Sequence, residues 1–230
     1  MTGDNITTKH ALLIVGSAKP QGTSTSEALG KYLLERLEEH SFETTILFAS
    51  HIAHEGRGVS HLHEAMDKAD LLILASPLYV DSLPYLLTLT LERLAAQRQA
   101  QSNPKPCALF ALVNSGFSEA QQNEIALAIC RQFAQQAGFT WLGGLALGGG
   151  QAIHGQPLRS AQGIARNVIK ALDVATDNLA QGKAVPDQAV ALMPASVYTF
   201  MGGLGWRWQA WQNRGSRQLG ARPFEKENSQ

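Results

Sequence analysis

The sequence predicts a doubly wound α/β fold, a five-stranded parallel sheet in the order 2-1-3-4-5 with helices on both faces. Three observations lead there. Short, near-continuous apolar runs recur along the chain, segments of helical period separate them, and each such segment is long enough to cross between parallel strands.

The first strand is Ala11–Val15, closed by Gly16. Ser24-x-x-Glu27 has the form of a capping box and opens a helix with Leu29, Leu33 and Leu37 on one face. Thr44–Phe48 reads as the second strand. The connection from Ser50 to Asp70 is the weakest part, with at most a short helix around Leu62–Lys68. Leu71–Ala75 is the third strand, followed by a helix carrying Leu83, Leu87, Leu91 and Leu94. Ala108–Val113 is the fourth. A second box, Ser118-x-x-Gln121, precedes the helix of Ala126, Cys130, Phe133 and Ala137, which Gly138 ends. Trp141–Leu147 is the fifth strand, and the last helix bears Ile164, Val168, Leu172, Ala175 and Leu179 before Gly182. From about Lys183 the pattern breaks into Pro186, Pro194, Gly202-Gly-Leu-Gly205 and three tryptophans. The expected organisation is a domain over residues 1–185 and a tail over 186–230 that packs on the domain or on a partner subunit.

Composition narrows the function. In 230 residues, 19 Lys and Arg balance 19 Asp and Glu, and 44% of residues are hydrophobic, which excludes a disordered chain. With no Lys/Arg run, general nucleic-acid binding is not expected. Cys107 and Cys130 lack metal-type spacing and read as apolar filler in a reducing compartment. The start MTGDNITTKH is polar and no apolar run approaches the ~20 residues of a membrane span, so the expected location is the cytoplasm.

In such folds ligands bind beyond the carboxyl ends of the strands, which leaves the loops after them as candidates. The loop after the first strand, Gly16-Ser-Ala-Lys-Pro-Gln-Gly-Thr-Ser-Thr-Ser26, joins hydroxyls to a capped helix start and suits the oxygens of a phosphate monoester. It lacks the G-x-G-x-x-G pattern, and the second strand ends in Phe48-Ala-Ser50 without an acid, so a dinucleotide site of that kind is excluded. A Walker loop is excluded as well, because no Lys follows the second glycine. After the third strand comes Ser76-Pro-Leu-Tyr-Val-Asp-Ser-Leu-Pro84, stiffened by Pro77 and Pro84, with Tyr79 as an aromatic face for a flat ligand. After the fourth, Asn114-Ser-Gly116 offers polar groups to a ring edge. Together the three loops outline a phosphate pocket beside a planar slot.

Gly16-Ser-Ala-Lys-Pro-Gln-Gly-Thr-Ser and Ser76-Pro-Leu-Tyr-Val-Asp-Ser-Leu-Pro resemble the NADPH-dependent FMN reductase-like branch of the flavodoxin-like flavoproteins, over residues of about 9–180. The tail ending Gly-Ala-Arg-Pro-Phe224 is also similar to tails of flavodoxin-like oxidoreductases. The resemblance implies FMN as cofactor. Ser17, Lys19, Thr23, Ser24 and Thr25 would hold its phosphate, Pro77, Leu78, Tyr79 and Val80 would flank the isoalloxazine, and Asn114, Ser115 and Gly116 would meet the ring edge. Lys19 stands where the family often has Arg, and Ala18 where it has Pro.

Between the second and third strands this chain has no cysteine cluster, which excludes the related iron–sulfur flavoproteins, but it has His51, His54, His61 and His63 near Glu55, Glu64 and Asp67. Their spacing matches no standard site, and no metal is assigned. No Ser-His-Asp or Cys-His set stands out, and no catalytic side chain is singled out. A flavin enzyme needs none, because hydride passes directly between cofactors.

The expected function is an FMN-dependent NAD(P)H oxidoreductase that passes electrons to a small acceptor, such as a quinone, a flavin or an electron carrier. The partners are then NAD(P)H and that acceptor, in a homo-oligomer. Two alternatives stay open: a flavodoxin-type carrier without nicotinamide activity, and a flavin-free scaffold whose aromatic tail contacts a partner or membrane. Three roles remain for the tail: an exchanged arm over a neighbour's flavin site, a membrane-surface segment, or a helix closing a sheet face. Arg207, Arg214, Arg217 and Arg222 bias it basic.

Overall fold

The structure is a computed structural model that describes residues 8–53 and 57–215. His54 and Glu55, Arg217 and Arg222, and the Gly-Ala-Arg-Pro-Phe224 motif lie outside the described residues. Two compact units are present, Met1–Leu192 and Met193–Gln230.

The first unit runs β1 (Lys9–Val15), α1 (Thr25–Glu38), β2 (Phe42–Phe48), α2 (Ala49–Ile52), α3 (Arg57–Lys68), β3 (Leu71–Pro77), α4 (Tyr85–Ala100), β4 (Ala108–Asn114), α5 (Glu124–Gln136), β5 (Thr140–Gly148), α6 (Gln162–Ala180) and β6 (Gln188–Ala191). All strands are parallel, in the order β2-β1-β3-β4-β5-β6. The parallel α/β architecture is the expected one, with a sixth strand added. In β6 only Val190 is buried, and the apolar run Ala189–Met193 that holds it falls beyond Pro186, in the stretch expected to be tail. The chain reaches β6 past Gly143, whose φ is +109° and where a Cβ would lie 1.7 Å from the Val185 carbonyl oxygen. No larger residue fits there.

Residues 11–15 of β1 are all buried, as both faces of the sheet are covered. Leu12, Ile14, Leu72 and Leu74 pack with Leu62 and Met66 of α3, Leu87, Leu91 and Leu94 of α4, and Ala126, Cys130 and Ala134 of α5. On the opposite face Leu13 lies against Gly30 of α1, where a Cβ would come within 2.6 Å of it. The Tyr32 hydroxyl donates to Asp173 Oδ1 at 2.8 Å and ties α1 to α6. Burial, then that carboxylate, pushes the Tyr32 phenol up to about 12.

The weak connection therefore holds more structure than expected: α2 and a three-turn α3 that buries Leu62 and Met66. Val59, Leu62, Ala65, Met66 and Ala69 do follow helical spacing, but only Leu62 and Met66 are large and the histidines and acids between them dominate the run. Ser118 does not cap α5, since a 3-10 turn over Ala120–Asn123 intervenes and the helix begins at Glu124. Gly138 (φ +71°) and Gly182 (φ +67°) do end α5 and α6.

The second unit contains α7 (Ala195–Gln212), which has no buried residue. Among the described residues no helix is long and apolar enough to cross a membrane.

Candidate functional site

The loops after β1, β3, β4 and β5 meet around one open groove of about 190 Å³. The first loop leaves β1 at Gly16, whose amide donates to the Ala75 carbonyl at 2.8 Å and whose missing Cβ leaves room for Leu87 at 2.9 Å. From there Ser17 and Lys19 line the groove, followed by Ser24, Thr25 and Ser26 at the start of α1.

The hydroxyls divide by where their protons point. Ser24 is the N-cap of α1, and its Oγ accepts from the Glu27 amide at 3.1 Å. Ser17 Oγ accepts from the Lys19 amide at 3.3 Å. Both remain able to donate. Thr25 instead donates to the Gly150 carbonyl at 2.7 Å, Ser26 to Asn114 Oδ1 at 2.7 Å, and Thr23 to the Pro20 carbonyl at 2.6 Å. The Glu27 carboxylate turns away from the capping-box position and accepts from the Gly22 amide at 2.6 Å. Lys31 Nζ lies 2.6 Å from its other oxygen. The amides of Thr25 and Ser26 have no acceptor among the described residues, as expected for the first turn of a helix.

Pro77, Leu78 and Tyr79 form one wall, anchored where the Leu78 amide donates to the Asn114 carbonyl at 2.8 Å. Beyond them the chain reverses in a two-residue turn: Tyr79 N–H donates to Ser82 O at 2.9 Å and Ser82 N–H to Tyr79 O at 3.1 Å. Val80 (φ +49°) and Asp81 (φ +57°) both sit in the left-handed region, unusual for a β-branched residue. Val80 is 98% exposed at the tip.

Asn114, Ser115 and Gly116 form the other wall with Gln151. Fully buried Asn123 braces them, its Nδ2 donating to Ser115 Oγ at 3.1 Å and the Leu147 carbonyl at 3.2 Å. Ten of the twelve sequence-predicted residues thus line one groove. Thr23 and Val80 do not; both are exposed outside it. Ser26, Gln151 and Asn123 escaped the sequence reading, although Gly148-Gly-Gly150 just before Gln151 was a loop signal of the kind used elsewhere.

These groups fit FMN. Two donating hydroxyls, unpaired helix-start amides and exposed Lys19 suit a phosphate monoester, and the Pro77–Tyr79 wall facing polar Asn114 suits a flat ring with a polar edge. Among the described residues no three His, Cys, Asp or Glu side chains gather as a metal site would require, and His51, His61 and His63 lie on α2 and α3.

A family model described as NADPH-dependent FMN reductase matches residues 10–142, from β1 into β5 and more than half of the chain. The chain belongs to that family. It is therefore an NAD(P)H-dependent FMN oxidoreductase by family, with FMN as its cofactor, and the three loops at the groove fall inside the match. No curated protein matches this FMN reductase. Among solved structures it is similar to RosB with bound 8-demethyl-8-formylriboflavin-5'-phosphate, with a TM-score of 0.59 and 12% identity over 96% of each chain. It is also similar to the apo form of the NADH:FMN oxidoreductase EMOB, with a TM-score of 0.57 and 18% identity over 81% of this chain and 97% of that one. A third likeness is the Trp repressor binding protein from Bacillus subtilis, at 0.53 and 15%, over 72% and 99%. At these identities the likenesses carry the flavodoxin-like fold.

Proposed function

We propose that this FMN reductase oxidises NAD(P)H and delivers the electrons to a small acceptor, a quinone, a free flavin or an electron carrier. The observation that carries the reading is the groove itself, where ten predicted residues from three separate loops converge.

Bound FMN would supply the redox chemistry, accepting hydride from the nicotinamide and passing electrons on. The chain supplies binding and orientation. Ser17 and Ser24 would donate to the phosphate, the amides of Thr25 and Ser26 would add two further donors, and Lys19 would balance charge from the solvent side. Thr25 and Ser26 hold the cradle closed by fastening α1 to Gly150 and Asn114. Pro77, Leu78 and Tyr79 would lie along the ring and keep water from one side of it, while Asn114, Ser115 and Gly116 would address its polar edge.

Purified protein incubated with FMN should be yellow and should bleach on anaerobic addition of NADPH. A protein that stays colourless overturns the cofactor site, and a yellow protein that NADPH does not bleach is an electron carrier instead. Ser24→Asp isolates the phosphate contact, because aspartate is as good an N-cap as serine and leaves α1 intact. Its negative charge should weaken FMN binding about a hundredfold, measured by fluorescence titration. Unchanged affinity would place the phosphate elsewhere.

A further inference from the structure

From Gln188 to Phe224 the sequence contains no Asp, Glu or Lys, yet it contains Arg207, Arg214, Arg217 and Arg222. Three of the four tryptophans fall in the same stretch. The chain as a whole is charge-neutral, so this concentration of unopposed positive charge is local.

Within α7 most of the large apolar residues share one face, while Trp206, 72% exposed, lies on the opposite one. Val197, Met201, Leu204, Trp208 and Trp211 follow alternating spacings of four and three and make one stripe, with Phe200 beside it. These six side chains are between 44% and 70% exposed. Arg207 projects from the shoulder of the stripe, next to the Trp211 and Phe200 side, where a long cationic side chain can reach past the apolar boundary. Gly202, Gly203 and Gly205 lower the intrinsic stability of the helix, and α7 contains no acid to pair along its surface. A helix so composed is stabilised by a surface that buries its stripe.

We infer that α7 is an interfacial helix that docks this enzyme on an anionic lipid surface, with the stripe in the acyl boundary and Arg207 and Arg214 among the headgroups. Charge selects the occupant. Tail-to-tail pairing of two copies would bring eight arginines together, four from each, against only Glu225 and Glu227 at the end of each tail. An anionic bilayer satisfies the arginines and the stripe at once, and tryptophan is the side chain most at home at that boundary. The helix lies on the bilayer and does not cross it, in keeping with its length and three glycines.

The test uses full-length FMN-loaded protein with vesicles of phosphatidylcholine alone or with roughly a third phosphatidylglycerol, read by flotation. Binding to the anionic vesicles should exceed binding to neutral ones by at least about tenfold and fall with added salt, with a blue shift of tryptophan emission. Leu204→Glu with Trp208→Glu should abolish it, and Arg207→Glu should weaken it severalfold. Both variants should keep the flavin absorbance and NADPH bleaching of the parent in vesicle-free buffer, which separates this inference from the redox reading. Absent binding, or equal binding to both vesicle types, overturns it. So does self-association of the free protein that Leu204→Glu removes without any vesicle binding, since a second copy would then cover the stripe.

Discussion

Ser17 and Ser24 differ from Thr23 and Thr25 in where their protons go, and that difference sets what each would contribute to the proposed anion site. Ser17→Ala and Ser24→Ala remove donors that have no acceptor among the described residues, so each should weaken FMN binding about tenfold in a fluorescence titration. Thr23→Val removes a hydroxyl that already donates to Pro20 outside the groove and should change affinity less than about twofold. The cysteines follow from burial alone. Desolvation pushes the thiols of Cys107 and Cys130 up to about 12, opposed at Cys107 by Arg98, so neither forms thiolate at neutral pH. Iodoacetamide at about pH 8 should leave the native protein unlabelled and modify both residues once it is unfolded in urea. Sequence spacing already pointed to filler here, because a lone buried cysteine is legible from its apolar neighbours. The proton assignments were not legible: those of Thr25 and Ser26 depend on Gly150 and Asn114, far away in sequence, and that of Thr23 on how its own loop turns back to Pro20.

Arg98 shows how one element ends another. It is 6% exposed at the close of α4, stacks 4.2 Å from the Phe139 ring, and donates to the carbonyls of Ala137 and Gly138 just after α5 and of Lys105 in the loop before β4. Arg98→Ala would strip three carbonyls of their donor and should cost about 2–4 kcal/mol in urea unfolding. At the amino-terminal edge of β3, burial works to raise the Asp70 pKa, but Lys105 at 2.8 Å and the His10 amide at 2.8 Å hold it below the ordinary value. A carboxylate lowered in the fold stabilises it above the unfolded pKa, and that contribution is lost as pH falls through the lowered one. Asp70→Asn should therefore destabilise by about 1 kcal/mol at neutral pH, and its melting curve should converge with that of the parent under strong acid. Neither arrangement was visible beforehand: Arg98 and Asp70 each meet partners on different elements, and periodicity reports only the face a residue lies on. Five strands and four long helices were visible because their buried faces repeat, whereas α3 and β6 offered two or three buried side chains between them and polar residues.

At the scale of the molecule, the site is a product of topology. Parallel strands deliver the loops after β1, β3 and β4 to one end of the sheet, so motifs about 60 and 100 residues after the first become neighbours. That is why the groove was largely readable from three short segments, and why Gln151, delivered by β5 through a turn with left-handed Gly149 and His154, was not. The sixth strand has a further consequence, one of timing. β6 holds an edge of the sheet with four residues and one buried side chain, so its amides should exchange with deuterium before those of the other strands, in a mass-resolved time course. The Leu192 amide hangs from the Gly148 carbonyl, two residues before Gly150, which receives the Thr25 hydroxyl. Release of β6 would put slack into the sheet beside the clasp on α1, so the earliest opening of this fold is expected next to the candidate groove.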